Sequence, residues 1–252
     1  MPSLEYLSAV ASARPPWRGW AGALLDLVFP PFCPVCDDRL GEGRRDPLCA
    51  RCWARLERIE GPVCRTCGLP MTVPGICGAC RRRRPAFAYA RAAARYGDVV
   101  REALHAFKFG GRRALAAPLA DLLAAAGPAW LPAGAPDLIL PVPLHPRRER
   151  ERGFNQAVLL ARRIGRAWGR SVREDVLRRT IATLPQTDLG LQARRANVRG
   201  AFALRRSELV AGRHVLVVDD VFTTGATVGE CARCLYKAGA ARVGVLTVAR
   251  VT

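Results

Sequence analysis

Lysine is nearly absent from this chain. Lys108 and Lys237 are the only two, although Lys and Arg together number 40. The other cations are arginines, whose planar guanidinium stays charged and grips phosphate oxygens in pairs. Histidine is scarce too: His105, His145 and His214 have no metal-ligand spacing to one another or to a cysteine. Aromatic residues make up 7%, few for an obvious nucleic-acid stacking platform. No apolar run reaches the roughly 18 residues that span a bilayer. The stretch from Trp20 to Pro31 comes nearest, and Asp26 interrupts it. The first residues lack a charged, apolar, small-residue signal pattern. These absences predict a cytoplasmic chain without a membrane span, leaving peripheral membrane association open. G-x-x-x-x-G-K is missing, as is a G-x-G-x-x-G after a strand, which excludes a P-loop NTPase and the usual dinucleotide fingerprint.

What remains is 252 residues, half of them apolar, with net charge +19. That length suits one medium domain plus a small module. The basic excess favours polyanionic partners: nucleic acid, phosphorylated metabolites or an anionic membrane.

The ten cysteines all fall in C-x-x-C pairs, and eight of them lie between Cys33 and Cys80. A C-x-x-C turn presents two thiolates to one metal, and a second such turn completes a tetrahedron. Cys33, Cys36, Cys49 and Cys52 make one set; Cys64, Cys67, Cys77 and Cys80 make another. The two halves resemble each other: Leu-Cys-Ala-Arg-Cys at 48–52 answers Ile-Cys-Gly-Ala-Cys at 76–80. A tandem zinc ribbon with sequential pairing is expected, beside a crossed, RING-type alternative. Four thiolates per ion leave no open position, so the metal's task is to fold a segment too small for its own core. Arg81 to Arg84 follow the last ligand, either as a solvated linker or as a DNA-facing edge. Cys231 and Cys234 read as small core residues on a helix.

Beyond residue 85 the pattern changes. Helical periodicity runs over 96–109, 114–126, 155–168 and 227–238; short apolar runs at 138–142, 215–218 and 243–249 read as strands. Alternating strands and helices imply a parallel sheet, with ligands beyond the carboxyl ends of its strands. The run Val215–Val218 leads into Asp219-Asp220, then a loop containing Thr223, Thr224, Gly225, Ala226 and Thr227. Backbone N–H groups of such a loop at a helix start hold a phosphate, and the threonines add hydroxyl donors. Two carboxylates cannot face that phosphate; they face sugar hydroxyls or a divalent cation. The combination describes a ribose 5-phosphate site.

Residues 215–227 resemble the phosphoribosyl-pyrophosphate (PRPP) motif of type I phosphoribosyltransferases. Together with the N-terminal cysteines and Glu151-Arg152-Gly153-Phe154-Asn155-Gln156, the chain resembles the ComF family of competence-associated proteins over roughly residues 25–252. The resemblance implies an N-terminal segment (1–30), a double zinc ribbon (31–84) and an α/β phosphoribosyltransferase-like domain with a parallel sheet flanked by helices (85–252). It implies a pyrophosphate loop at Pro141–His145, followed by Arg147, Arg148, Arg150 and Arg152 as diphosphate contacts. It places a mobile loop over 183–200, with Gln186, Gln192, Arg194, Arg195 and Asn197. Zn²⁺ in two structural sites and Mg²⁺ with PRPP are the implied cofactors. The implied reaction is displacement of pyrophosphate from PRPP by a nitrogen nucleophile. Thr223 stands where purine-salvage relatives carry a general-base aspartate, which weakens a salvage assignment. Pro2 follows Met1, where amidotransferases of this fold need cysteine. Implied partners are PRPP, single-stranded DNA and DNA-uptake or helicase proteins. Two function classes follow: a PRPP-dependent transferase, and a DNA-handling protein that keeps PRPP as a ligand.

Overall fold

The computed structural model describes residues 31–40, 46–125, 127–182 and 196–252. The N-terminal segment lies outside them, as do Gln186, Gln192, Arg194 and Arg195 of the expected mobile loop.

Four parallel strands form the central sheet. They are β1 (Tyr89–Arg95), β2 (Leu138–Pro141), β5 (His214–Phe222) and β6 (Arg242–Arg250), in the order β1-β6-β5-β2. A separate antiparallel pair joins β3 (Leu177–Arg179) to β4 (Phe202–Leu204). Both faces of the sheet are covered, which is why β5 opens on an unbroken apolar run rather than an alternation. Leu216 and Val218 face one core with Ile139, Leu246 and Val248. That core is closed by α3 (Asp98–Phe109), α4 (Ala116–Ala124) and α6 (Gln156–Trp168). Val215 and Val217 face the other core, under α7 (Ala226–Lys237) and the β3/β4 pair.

The expected helices and strands are present, with ends shifted by a few residues. Two differences matter. Strand β5 continues through Asp219 and Asp220 to Phe222, so the carboxylates sit within the strand instead of just past it. Strand β1 had no expectation attached: Tyr-Ala-Arg-Ala-Ala-Ala-Arg carries no β-branched residue, and its pairing with β6 overrides that weak propensity.

The cysteine segment repeats in structure as in sequence. Each half has a knuckle whose next residue is left-handed, Asp37 (φ 55°) in one and Gly68 (φ 71°) in the other. Each then starts a short helix at its third cysteine: α1 (Ala50–Ala54) after Cys49 and α2 (Gly78–Arg82) after Cys77. The first half packs on the α3 side of the sheet and the second on the α7 side. The segment between them covers the free edge of β1. Ile59 N donates to Ala93 O, Arg95 N to Glu57 O, and Ala90 N to Thr66 O. Covering an edge strand removes a template for unwanted pairing. Gly68 is required where this segment meets β1: a Cβ there would lie 2.5 Å from Ala90 O. Helix α5 (Pro146–Arg152) lies between β2 and α6.

Candidate metal sites and ligand cavity

Cys33, Cys36, Cys49 and Cys52 bring their sulfurs within 4.8 Å of one another, as do Cys64, Cys67, Cys77 and Cys80. The pairing is therefore sequential, not crossed. A tetrahedron with Zn–S bonds of about 2.3 Å has edges near ~3.8 Å. Cys33–Cys52 at 3.8 Å, Cys36–Cys49 at 3.5 Å and Cys67–Cys77 at 3.7 Å match that edge and are far too long for disulfides. Burial pushes the Cys64 thiol up, but N–H groups of Cys67, Cys77 and Thr66 outweigh it and hold it at about 6. The donor set fits zinc. Cys231 is fully buried on α7, and Cys234 lies against Phe202 O at 3.7 Å, consistent with packing roles.

A cavity of about 850 Å³ opens at the carboxyl ends of β1, β5 and β6. Asp219, Asp220, Thr223, Gly225, Ala226 and Thr227 line it, with Arg148 and Arg152. Gly225 ends the loop at φ 71° and precedes α7. A Cβ there would come within 2.7 Å of the Phe222 ring, so both conformation and space demand glycine. The first N–H groups of α7 have no intrahelical partner, as at every helix start. Thr224 is outside the lining; its Oγ1 accepts from Ala226 N at 3.3 Å and shapes the turn.

The Arg-Gly-Phe-Asn-Gln signature builds one wall, residue by residue. Arg152 is half-buried in the cavity, its guanidinium 5.0 Å from the centre of the Phe109 ring. Gly153 ends α5 in the left-handed region (φ 77°). Phe154 packs against Phe107 at 5.5 Å. Asn155 caps α6 by accepting from Ala157 N at 2.9 Å, while its Nδ2 donates to Val142 O at 3.0 Å and ties the helix to the expected pyrophosphate loop. Gln156 Nε2 donates to Asp220 Oδ2 at 3.1 Å; its Oε1 is a buried acceptor without a partner. Of the four expected diphosphate contacts, Arg148 and Arg152 reach the cavity. Arg147 is instead paired with Glu151 at 3.0 Å, and Arg150 is outside the lining. The reason is helical: α5 turns alternate arginines outward. Asn197 is described but does not line the cavity.

Two cationic residues of the wall had no sequence expectation. Lys108 Nζ lies 2.7 Å from Asp220 Oδ2, so one of the chain's two lysines neutralises a nearly buried carboxylate. The rarity of lysine was the available signal. Arg179, from β3, lines the cavity with its guanidinium over the Phe202 ring at 5.5 Å.

Burial and the neighbouring Asp220 push Asp219 up to about 7, against the Asp220 N–H and the charges of Lys108 and Arg179, which lower it. A carboxyl raised in the folded state favours folding when protonated. It costs progressively more stability as pH climbs from the unfolded value near 3.8 through about 7. Asp219→Asn is therefore expected to raise the melting temperature at pH 8 and to change it little at pH 4. Calorimetric melts at the two pH values check this; an equal shift at both pH values contradicts it.

The fold is thus that of a phosphoribosyltransferase-type α/β domain carrying a double zinc ribbon. A Double zinc ribbon domain family matches residues 24–81, and a Phosphoribosyl transferase domain family matches residues 153–251. The chain is 36% identical over 230 residues to the DNA utilization protein YhgH of Escherichia coli O157:H7, covering 89% of this chain and 99% of that one. It is 30% identical over 211 residues to the Competence protein F of Haemophilus influenzae (82% and 91% covered), and 28% identical over 244 residues to the Competence protein ComFC of Bacillus subtilis (87% and 95% covered). The chain belongs to the ComF family. A solved glutamine PRPP amidotransferase from B. subtilis overlays 52% of this chain and 25% of its own, at 21% identity and TM-score 0.35. Among the described residues, no helix is long and apolar enough to cross a membrane.

Proposed function

We propose that this chain is a PRPP-binding member of the ComF family that acts in the cytoplasm in uptake of transforming DNA and contacts single-stranded DNA. The observation that carries PRPP binding is the convergence, in one cavity, of a Thr/Gly phosphate loop, an acidic pair and a cationic wall. Thr223 and Thr227 hold the 5-phosphate with their hydroxyls, beside loop N–H groups at Gly225 and the start of α7, while Thr224 shapes the turn. Asp219 and Asp220 accept from the ribose hydroxyls, and the unpartnered Gln156 Oε1 offers a third acceptor. Arg148 and Arg152 face the diphosphate, where paired guanidinium contacts suit its oxygens. Two carboxylates are hard oxygen donors of the kind Mg²⁺ takes, and Mg²⁺ bound there supplies further charge neutralisation of the diphosphate. Ionised Asp219 is the form that accepts hydroxyl hydrogen bonds, so binding is expected to strengthen as pH rises through about 7.

The DNA role draws on the relatives' names, DNA utilization protein and Competence protein, and on the +19 charge. Its partners are DNA-uptake or helicase proteins. The alternative is an active PRPP-dependent phosphoribosyltransferase, a glycosyltransferase of nucleotide metabolism; the intact acidic pair in the cavity favours keeping it in view.

Calorimetric titration of zinc-replete protein with PRPP and Mg²⁺, beside a pyrophosphate-release assay with nucleobases and amines, tests both readings. Binding without release supports the DNA-handling reading. Binding with release makes the chain an enzyme. Absence of binding by folded protein sinks the PRPP site, and Asp219→Ala is expected to reproduce that absence with zinc content unchanged. Affinity for a single-stranded oligonucleotide is expected to fall steeply with salt as counterions are released. Neutral substitutions at the exposed Arg81–Arg84 run are expected to flatten that slope.

A further inference from the structure

We propose that the lip of the cavity formed by Tyr96, His105 and Phe109 is a subsite for a planar nucleobase, which stacks on the Phe109 ring. This deepens the reading above and rests on it only for what lies alongside, the PRPP phosphates and ribose. Three of the large hydrophobic residues exposed in the described chain line this one cavity: Tyr96 (38% exposed), Phe109 (67%) and Val251 (41%). A single exposed apolar residue needs no explanation. Three that arrive from separate elements and converge do. Tyr96 follows β1, Val251 follows β6, and Phe109 ends α3. The core does not require Phe109, because α3 already buries Val99, Val100, Ala103, Leu104 and Phe107 on its inner face.

The ring is also held in place. His105, one turn earlier on α3, packs against it at 5.0 Å with a 46° tilt, and the Arg152 guanidinium sits 5.0 Å from its centre. A fixed aromatic ring flanked by a guanidinium, with imidazole and phenol groups nearby, suits a ligand with a flat polarisable face and a polar edge. An aliphatic amine would seek a carboxylate instead. The carboxylates of this cavity are committed, Glu151 to Arg147 and Asp220 to Lys108, while Asp219 lies against Asp220. The 850 Å³ cavity lies towards the upper end of the roughly 300–1,000 Å³ usual for small-ligand sites, so a base and a pentose phosphate can share it. Sequence reading overlooked the subsite because its aromatics stand at 96 and 109, apart from the PRPP motif.

The base can come from a free nucleobase or from a strand of single-stranded DNA, and one experiment separates these. The probes are 2-aminopurine as the free base and 2-aminopurine set within an oligothymidine strand; stacking quenches their fluorescence. Quenching of both by the full-length, zinc-replete protein assigns the subsite to small bases as well as strands. Quenching of the strand only assigns it to DNA. In either case Phe109→Ala is expected to weaken the quenching titration about ten-fold or more, within the range of aromatic–base stacking, and Phe109→Trp to restore it. Phe109 is largely exposed, so both variants are expected to fold, with zinc content and melting temperature as the check. Quenching that survives Phe109→Ala, or absence of quenching with either probe, overturns the proposal. A parallel PRPP titration keeps the two readings apart: wild-type protein that quenches without binding PRPP sinks the PRPP site and leaves the base subsite standing.

Discussion

Lys108→Met is expected to destabilise the folded protein by about 3 kcal/mol. Breaking a buried ion pair by removing one partner costs roughly 3–5 kcal/mol, because the other charge stays buried without compensation. The lower end applies here: Asp220 is 7% exposed in its side chain, but Lys108 retains 22%. For a chain of this length such a loss lowers the melting temperature by roughly 6–12 °C. The defect is expected to be largest above about pH 7, where Asp219 is ionised and Lys108 also offsets its charge. Lys108→Met/Asp220→Asn is expected to recover most of the stability, since the amide keeps the Gln156 contact without a charge. Thermal melts of both variants between pH 4 and pH 8 decide the matter. A Lys108→Met loss that is independent of pH, or a double variant no better than the single, means the ion pair is not what holds this wall. PRPP binding is expected to fall in both variants, which separates a stability role from a ligand role.

The same residue marks where sequence reading stopped. The metal ligands were legible because zinc demands a fixed spacing in the chain: two C-x-x-C turns of one set put four sulfurs on a tetrahedron with little help from the rest of the fold. The Thr/Gly loop was legible for a related reason, since Asp219 to Thr227 are contiguous and form their half of the cavity locally. Lys108, Arg179, Tyr96 and Phe109 come from other elements: the sheet order β1-β6-β5-β2 brings the three that follow β1 to that loop, and Arg179 arrives on the separate β3/β4 pair. No periodicity within α3 announces that its last turn faces a strand more than a hundred residues later. Helix α5 shows the converse error. Four arginines in six positions suggested one diphosphate grip, and a helix necessarily divides them, leaving Arg148 and Arg152 inside. The Arg-Gly-Phe-Asn-Gln run was read as a family mark. Its structural logic is that a left-handed glycine stops one helix, a core phenylalanine anchors the turn, and an asparagine starts the next.

Arg250→Met is expected to loosen the second zinc site and the ligand loop together, while leaving all eight ligand cysteines in place. Arg250 is nearly buried at the end of β6. Its Nη1 donates to Cys67 O at 2.5 Å, and its Nη2 lies 3.5 Å from Cys67 Sγ. The other side of the guanidinium covers the Phe222 ring at 4.5 Å, and that ring fills the space that keeps position 225 a glycine. One side chain therefore touches a cysteine of the second set and the residue beneath the Thr/Gly loop. Burial raises the Cys67 thiol and the Arg250 charge opposes it, so methionine removes a stabilising contact to the thiolate form. Outer-shell partners of this kind are typically worth 10–100-fold in metal affinity. The expected result is two zinc ions per chain as purified, with one of them lost to a competing chelator at roughly ten-fold lower chelator concentration than in the wild type. PRPP affinity is expected to fall in the same variant, because Phe222 loses the cation that covers it. Cys64→Ser reaches the same loop from the metal side: it is expected to leave one zinc per chain and to weaken PRPP binding through the same arginine. If Arg250→Met gives up its zinc no more readily than wild type, the guanidinium serves only packing. If Cys64→Ser loses one zinc and binds PRPP as wild type does, the ribbon and the cavity are independent, and zinc holds the covered edge of β1 without reaching the ligand.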